Sequence, residues 1–207
     1  MILLLATLSL VVSSFAGPID QGSRATDART RDIYVSALND GTPVADMTAA
    51  DFLVREDGVA REVLKAGPAT DQLTISILID DSQASTDAIP HLRDGLKAFV
   101  DRMNGKAEIA LASIGERPTP LVDYTTSPEV LQKGINRLFA RPGSGAYLLD
   151  GIVEVSKGLQ KREAKRPAIV ALTLEYGPEF SNRYYESVLD ELQKSRATLH
   201  VLAIGSP

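Results

Sequence analysis

The chain has 207 residues, 44% of them hydrophobic, with 22 Lys and Arg against 27 Asp and Glu and a net charge of −5. That size allows one α/β domain plus a small extra module, and the acidic balance leaves no basic footprint for nucleic acid. Cysteine and tryptophan are absent, which excludes disulfides and thiolate chemistry and leaves little for stacking sugars or single strands.

Residues 1–16 are an apolar run ending Ser14-Phe15-Ala16 ahead of Gly17-Pro18. Small residues at 14 and 16 fit the cleavage rule of a secretory signal peptide, and the apolar stretch is too short for a comfortable bilayer span. Met1 is followed by no cation, so the α-amino group alone serves as the charged end. Residues 17–30, rich in Gly, Ser, Arg and Asp, are expected to be a flexible leader. The mature chain is expected to be secreted or periplasmic, with no membrane span after signal cleavage.

Residues 31–67 read as a small β module. A strand is predicted over 33–38, followed by Asn39-Asp40-Gly41, residues that tolerate positive φ in a turn. Thr48 and Asp51 have the spacing of a capped single helical turn. Two short strands, 52–56 and 59–64, flank Asp57-Gly58, a strong hairpin signal. Residues 67–70 are the linker.

Residues 71–207 alternate apolar strands with amphipathic helices. The run Leu73 to Ile79 is β-branched and apolar, then stops at Asp80-Asp81-Ser82. It reads as a buried central strand with a polar loop at its carboxyl end, where open α/β sheets bind ligands. Leu92, Leu96, Phe99, Val100 and Met103 share a helical face that ends at Asn104-Gly105. A strand over 108–114 and a Pro-flanked edge strand over 120–123 follow. Ser127-Pro128-Glu129 reads as a helix start, with Leu131, Ile135, Leu138 and Phe139 predicted as its buried face. A further helix uses Leu148, Leu149, Ile152, Val153 and Leu159 and ends at Lys161-Arg162 and Lys165-Arg166, cations suited to a helix C-terminus. A buried strand over 168–174, a helix with Tyr185, Val188, Leu189 and Leu192 facing inward, and a strand over 198–204 complete the pattern. The fold class is α/β, a doubly wound, mostly parallel sheet with helices on both faces, preceded by the small β module.

Chemistry beyond the Asp80 loop is sparse. His200 alternates within a strand and His91 lies at a helix start; neither belongs to an assembled triad. Gly143-Ser144-Gly145 before a helix is favoured as a plain turn over an anion cradle, because the Lys-Ser/Thr of a P-loop is missing. Tyr176, Tyr184 and Tyr185 beside Glu175 suggest an aromatic patch at the same end of the sheet.

Asp80-Asp81-Ser82 after an apolar strand resembles the opening of a von Willebrand factor type A domain, whose three loops build a metal-ion-dependent adhesion site. Residues 37–44, 47–52 and 56–58 are similar to the β segment preceding a group of bacterial von Willebrand A-related domains. The resemblance spans about residues 31–205. It implies Asp80 and Ser82 as the retained metal ligands. Ala84 stands at the third position of the first motif, with Ser85 adjacent. Alignment on Leu148 and Asp150 puts Ala146 at the family's threonine, with Ser144 two residues earlier. Glu175 stands near the family's third-loop aspartate. Two ligand positions are thus kept, one carries a longer acid and two have lost their oxygen, so the site is degenerate. The chain also shows no final strand and helix of the family, and the domain at 71–207 is expected to be shortened at its C-terminus.

No cofactor is expected, with Mg²⁺ or Mn²⁺ as the ions the retained ligands would suit. The expected function is an exported binding module for another protein, not an enzyme. Its contact surface would be formed by Asp81, Ser85, Ser144, Tyr147, Glu175 and Tyr184, and a basic side chain of the partner meeting Asp80, Asp81 and Glu175 is a metal-free version of the same idea. The alternatives are a structural subunit of an envelope assembly and, more remotely, a hydrolase with a metal at Asp80 and Glu175.

Overall fold

The computed structural model describes residues 30–205 apart from residue 45. The expected signal peptide and most of the expected leader lie outside the described residues. Residues 36–207 form one compact unit, and the described part of the preceding unit, residues 30–35, has no helix or strand.

The predicted strand over 33–38 is reduced to β1, Leu38–Asn39, which pairs with β2, Thr42–Pro43. Ile33 and Val35 are exposed, so no buried face stabilises a longer strand. The turn itself is as expected. Asp40 and Gly41 have φ of 49° and 77°, the pair of positive values a two-residue hairpin needs. Asp57 and Gly58 repeat it at 50° and 79° between β3, Val54–Glu56, and β4, Val59–Arg61. Thr48 and Asp51 form the reciprocal cap of the short 3₁₀ turn Ala49–Asp51.

The central sheet has five strands in the order β7-β6-β5-β8-β9. β5 is Leu73–Ile79, β6 Ala107–Ser113, β7 Thr119–Thr125, β8 Arg166–Leu174 and β9 Thr198–Ile204. β5 pairs in parallel with β6 on one side and β8 on the other, and β9 runs parallel to β8. Only β7 is antiparallel, at the edge, where Pro120 costs no ladder bond.

Alternation along β5 sorts the core into two layers. Ile75, Ile77 and Ile79 pack with α1 (Ile89–Met103) and α2 (Pro128–Asn136) through Leu92, Leu96, Val100, Leu131 and Ile135. Leu78 faces the other layer, where Ile152, Val153 and Leu159 of α3 (Leu148–Lys161) meet Val188 of α4 (Tyr185–Ser195). Ile77, Leu78 and Ile79 are at most 1% exposed, and burial of each such side chain contributes about 1.5–3 kcal/mol.

Three local expectations are corrected. Phe139 is 60% exposed, because α2 stops at Asn136 and the helical phase that would bury it ends there. Tyr185 is 66% exposed, because it opens α4 and the inward face is carried by Val188 instead. Arg166 belongs to β8, not to a helix end; Arg162 caps α3, and its guanidinium lies 4.2 Å from the Tyr124 ring centroid.

Candidate functional site

Parallel strands put the β5–α1 loop, the α2–α3 loop and the β8–α4 loop at one end of the sheet. The first begins at Asp80, in the middle of the sheet, where chain connections from β5 and β8 leave in opposite directions. That is the position at which open α/β sheets form a crevice. The backbone continues the ladder one step further: Asp80 N–H donates to Leu172 O at 2.9 Å.

Asp80 and Asp81 are adjacent and equally buried, at 2% exposure, yet they do different things. Asp81 is saturated. Its Oδ1 accepts from Ser113 Oγ at 2.6 Å and Gly115 N–H at 2.8 Å, and its Oδ2 accepts from Arg141 Nε at 2.9 Å. Arg141 N–H also donates to Asp81 O at 2.9 Å, and the guanidinium reaches Glu116 at 3.3 Å. The Asp81 carboxylate, and after it that of Glu116, hold the Arg141 guanidinium above its ordinary pKa against the opposing effect of desolvation. Gly115 is obligatory here, since a Cβ would lie 2.5 Å from Asp81 Oδ1.

Asp80 uses one oxygen locally: Oδ1 accepts Ser82 N–H at 2.9 Å, an Asx-type turn. Among the described residues, Asp80 Oδ2 and Ser82 Oγ have no hydrogen-bond partner. Ser85 is fully buried and its hydroxyl donates to Ser82 O at 2.7 Å. Ser144 Oγ likewise donates to a carbonyl, Arg141 O, at 2.8 Å. Both hydroxyl protons therefore help to shape their loops.

The three loops are tied together. Gly143 N–H donates to Gln83 Oε1 at 2.7 Å. Ala146 N–H donates to Pro178 O at 2.8 Å and Phe180 N–H to Ala146 O at 2.7 Å, a short parallel bridge between the second and third loops. Gly177, at φ 101°, closes on the first loop so tightly that a Cβ would meet Ala84 Cβ at 2.7 Å. Ala84 and Ala146 are thus where the third loop packs. Glu179 then caps α3: its Oε2 accepts Leu148 N–H at 3.1 Å, so the chain's own carboxylate occupies the helix start.

Glu175 is exposed. Its Oε2 lies 2.8 Å from where a Cβ on Gly205 would stand, at the end of β9. Tyr147 is half-buried before α3, edge-on to Phe180 with ring centroids 6.1 Å apart. Tyr184, at 85% exposure, precedes α4, and Tyr176 and Phe180 are 44% and 52% exposed. Arg141 and Glu116 fall outside the expected contact loops, whereas Glu179 and Phe180 lie between Glu175 and Tyr184 of the third loop without having been singled out. Only Arg141, which stands immediately before Pro142-Gly143, carried a local signal.

Mg²⁺ takes six oxygens in a near-ideal octahedron. The residues present do not fit that demand. Among the described residues Asp80 Oδ2 and Ser82 Oγ have no partner, Ser85 and Ser144 turn their hydroxyl protons to loop carbonyls, Ala84 and Ala146 offer no side-chain oxygen, and Glu175 Oε2 lies beside Gly205. Among the described residues no group of three or more His, Asp or Glu side chains is placed to hold a metal.

No protein-family model matches the sequence, and no curated protein is a match. Solved structures do match. Proximal thread matrix protein 1 from the mussel byssus, in a form with a zinc-occupied MIDAS motif, is 16% identical over 65% of this chain and 38% of its own, with TM-score 0.51. The pilus adhesin SpaC from Lactobacillus rhamnosus GG is 12% identical over 66% of this chain and 25% of its own, with TM-score 0.51. A von Willebrand factor type A structure from Catenulispora acidiphila is 16% identical over 65% of this chain and 33% of its own, with TM-score 0.49. The fold is von Willebrand A-like. At these identities the likeness concerns the fold alone. The chain spans 20% to 40% of the length of the first solved chains it matches.

Proposed function

We propose that this von Willebrand A-like chain is an exported protein-binding module that works without a bound cation and without catalysis. The observation that carries the reading is the tied loop cluster. Three loops are cross-linked by hydrogen bonds into one platform, while Tyr176, Phe180, Tyr184 and Glu175 remain at its surface. Exposed aromatic side chains on a preorganised backbone are what protein interfaces use as anchors. The solved neighbours include a pilus adhesin, which is compatible with an extracellular role for this chain. Among the described residues no helix is long and apolar enough to cross a membrane. The two histidines support a non-catalytic reading: His91 lies exposed in the first turn of α1 and His200 exposed in the edge strand β9.

A photo-crosslinking residue in place of Tyr184 tests the surface in living cells. A discrete protein adduct is expected from position 184 and none from a control at Val59 in the second hairpin. Adducts from the control alone would overturn the reading. Calorimetric titration of Mg²⁺ and Mn²⁺ is expected to give no heat that Asp80→Ala removes. N-terminal sequencing of the exported protein is expected to begin at Gly17.

A further inference from the structure

Beside the Arg141 ion pair lies a hollow of about 160 Å³ lined by Glu116, Gly143, Ser144, Gly145, Tyr147 and Phe180. We propose that it receives an arginine side chain of the partner protein. The proposal rests on the loop cluster being the binding surface and names the chemistry that surface selects.

Charge sets the sign of the ligand. Arg141 is one cation shared by two carboxylates, Asp81 and Glu116. Asp81 is buried and already meets three donors, so the unneutralised charge resides on Glu116, whose side chain is 62% exposed. Glu116 Oε2 faces Arg141, and Oε1 has no partner among the described residues. An anionic ligand is disfavoured twice. It would meet Glu116, and the N-terminus of α3 that would attract it is already filled by Glu179. A basic side chain cannot instead use Asp81, which is enclosed.

The walls favour guanidinium over ammonium. Phe180 presents half of its surface to solvent and is held edge-on to Tyr147. A planar guanidinium stacks on such a ring while donating to a carboxylate; a strongly hydrated ammonium does this less well. The floor is preformed. Gly143 is tied to Gln83, Ser144 to Arg141 O, and Gly145 is fitted under the Phe180 ring, where a Cβ would come within 2.7 Å.

The test is an NMR titration of the ¹⁵N-labelled full chain with N-acetylarginine methylamide, with the citrulline and lysine counterparts as parallel arms. Saturating shifts are expected at the Glu116, Gly145 and Tyr147 amides, with an affinity in the range of ~1–10 mM for so small a fragment. Citrulline, a neutral isostere, is expected to bind at least about tenfold more weakly, as is arginine to Glu116→Gln. Phe180→Leu keeps the apolar volume and removes the π-face, and is expected to weaken binding about threefold or more. Equal shifts from citrulline, tighter binding of the lysine derivative, shifts centred on Asp80 to Ala84, or no shift at all would each overturn the pocket. Adducts at position 184 with no arginine shift would overturn the pocket and leave the binding surface standing, whereas absence of adducts would remove the surface itself.

Discussion

Asp80 and Asp81 are neighbours of the same chemistry and the same burial, and they divide the loop cluster into an uncommitted half and a closed half. On the closed side every oxygen of Asp81 has donors drawn from β6, the β6–β7 loop and the α2–α3 loop. On the other side Asp80 and Ser82 keep one oxygen each without a partner. The von Willebrand A resemblance directs attention to Asp80 and Ser82. The structure gives the residue between them, Asp81, the denser set of contacts, with Arg141 as its counter-charge.

The largest effect should come from Arg141→Ala. It leaves the Asp81 carboxylate buried with its cation gone, a change that costs about 3–5 kcal/mol. Urea denaturation would measure it, and Arg141→Lys should recover only part, since a lysine has no Nε–H in the guanidinium plane. If Arg141→Ala unfolds at the same urea concentration as the parent, the closed half is not what holds the loops. Next in size, Gly115→Ala drives a methyl group into Asp81 Oδ1 and the Asp81–Ser82 backbone, for a loss of about 1–3 kcal/mol. Chemical denaturation with an unchanged m-value would identify that loss as strain in a native structure that still folds.

Asp80→Ala is the counterpart on the uncommitted side. It removes a single hydrogen bond, Ser82 N–H to Asp80 Oδ1, and is expected to cost about 1 kcal/mol, well below the Arg141 loss. The loss should be the same with Mg²⁺ and with EDTA, because ligand binding to the native state alone would raise stability in the parent and not in the variant. A parent chain whose melting temperature climbs with Mg²⁺, and a variant whose temperature does not, would restore the metal to the site.

The contrast explains what was legible beforehand. The strands were legible because Leu73 to Ile79 and Ala168 to Leu174 are apolar runs, and burial on both faces needs no knowledge of the partner. The hairpin turns were legible because Asp40-Gly41 and Asp57-Gly58 carry their backbone preference in two residues. The closed half was not, because the donors to Asp81 lie 32, 34 and 60 residues away and nothing local marks them. Glu179 is hidden for the same reason, 31 residues from the helix it caps. Phe139 misled because apolar spacing continues past Asn136, where the helix itself stops.

Ser82 and Ser85 repeat the comparison at its finest scale, and their alanine variants should give the smallest effects and the sharpest contrast. Both are buried, at 1% and 0% exposure. The Ser85 hydroxyl donates to Ser82 O at 2.7 Å and holds the 3₁₀ turn Gln83–Ser85 in place. Ser85→Ala should therefore cost about 1 kcal/mol, the net worth of one internal hydrogen bond plus the carbonyl left short of a donor. The carbonyl is not orphaned, since Ser85 N–H also donates to it at 3.0 Å, which keeps the loss at that level. The Ser82 hydroxyl has nothing to lose among the described residues, so Ser82→Ala should fall within about 0.5 kcal/mol of the parent. A loss at Ser82 as large as that at Ser85 would mean that its hydroxyl holds a ligand in solution, and the uncommitted half of the cluster would then be the half that binds.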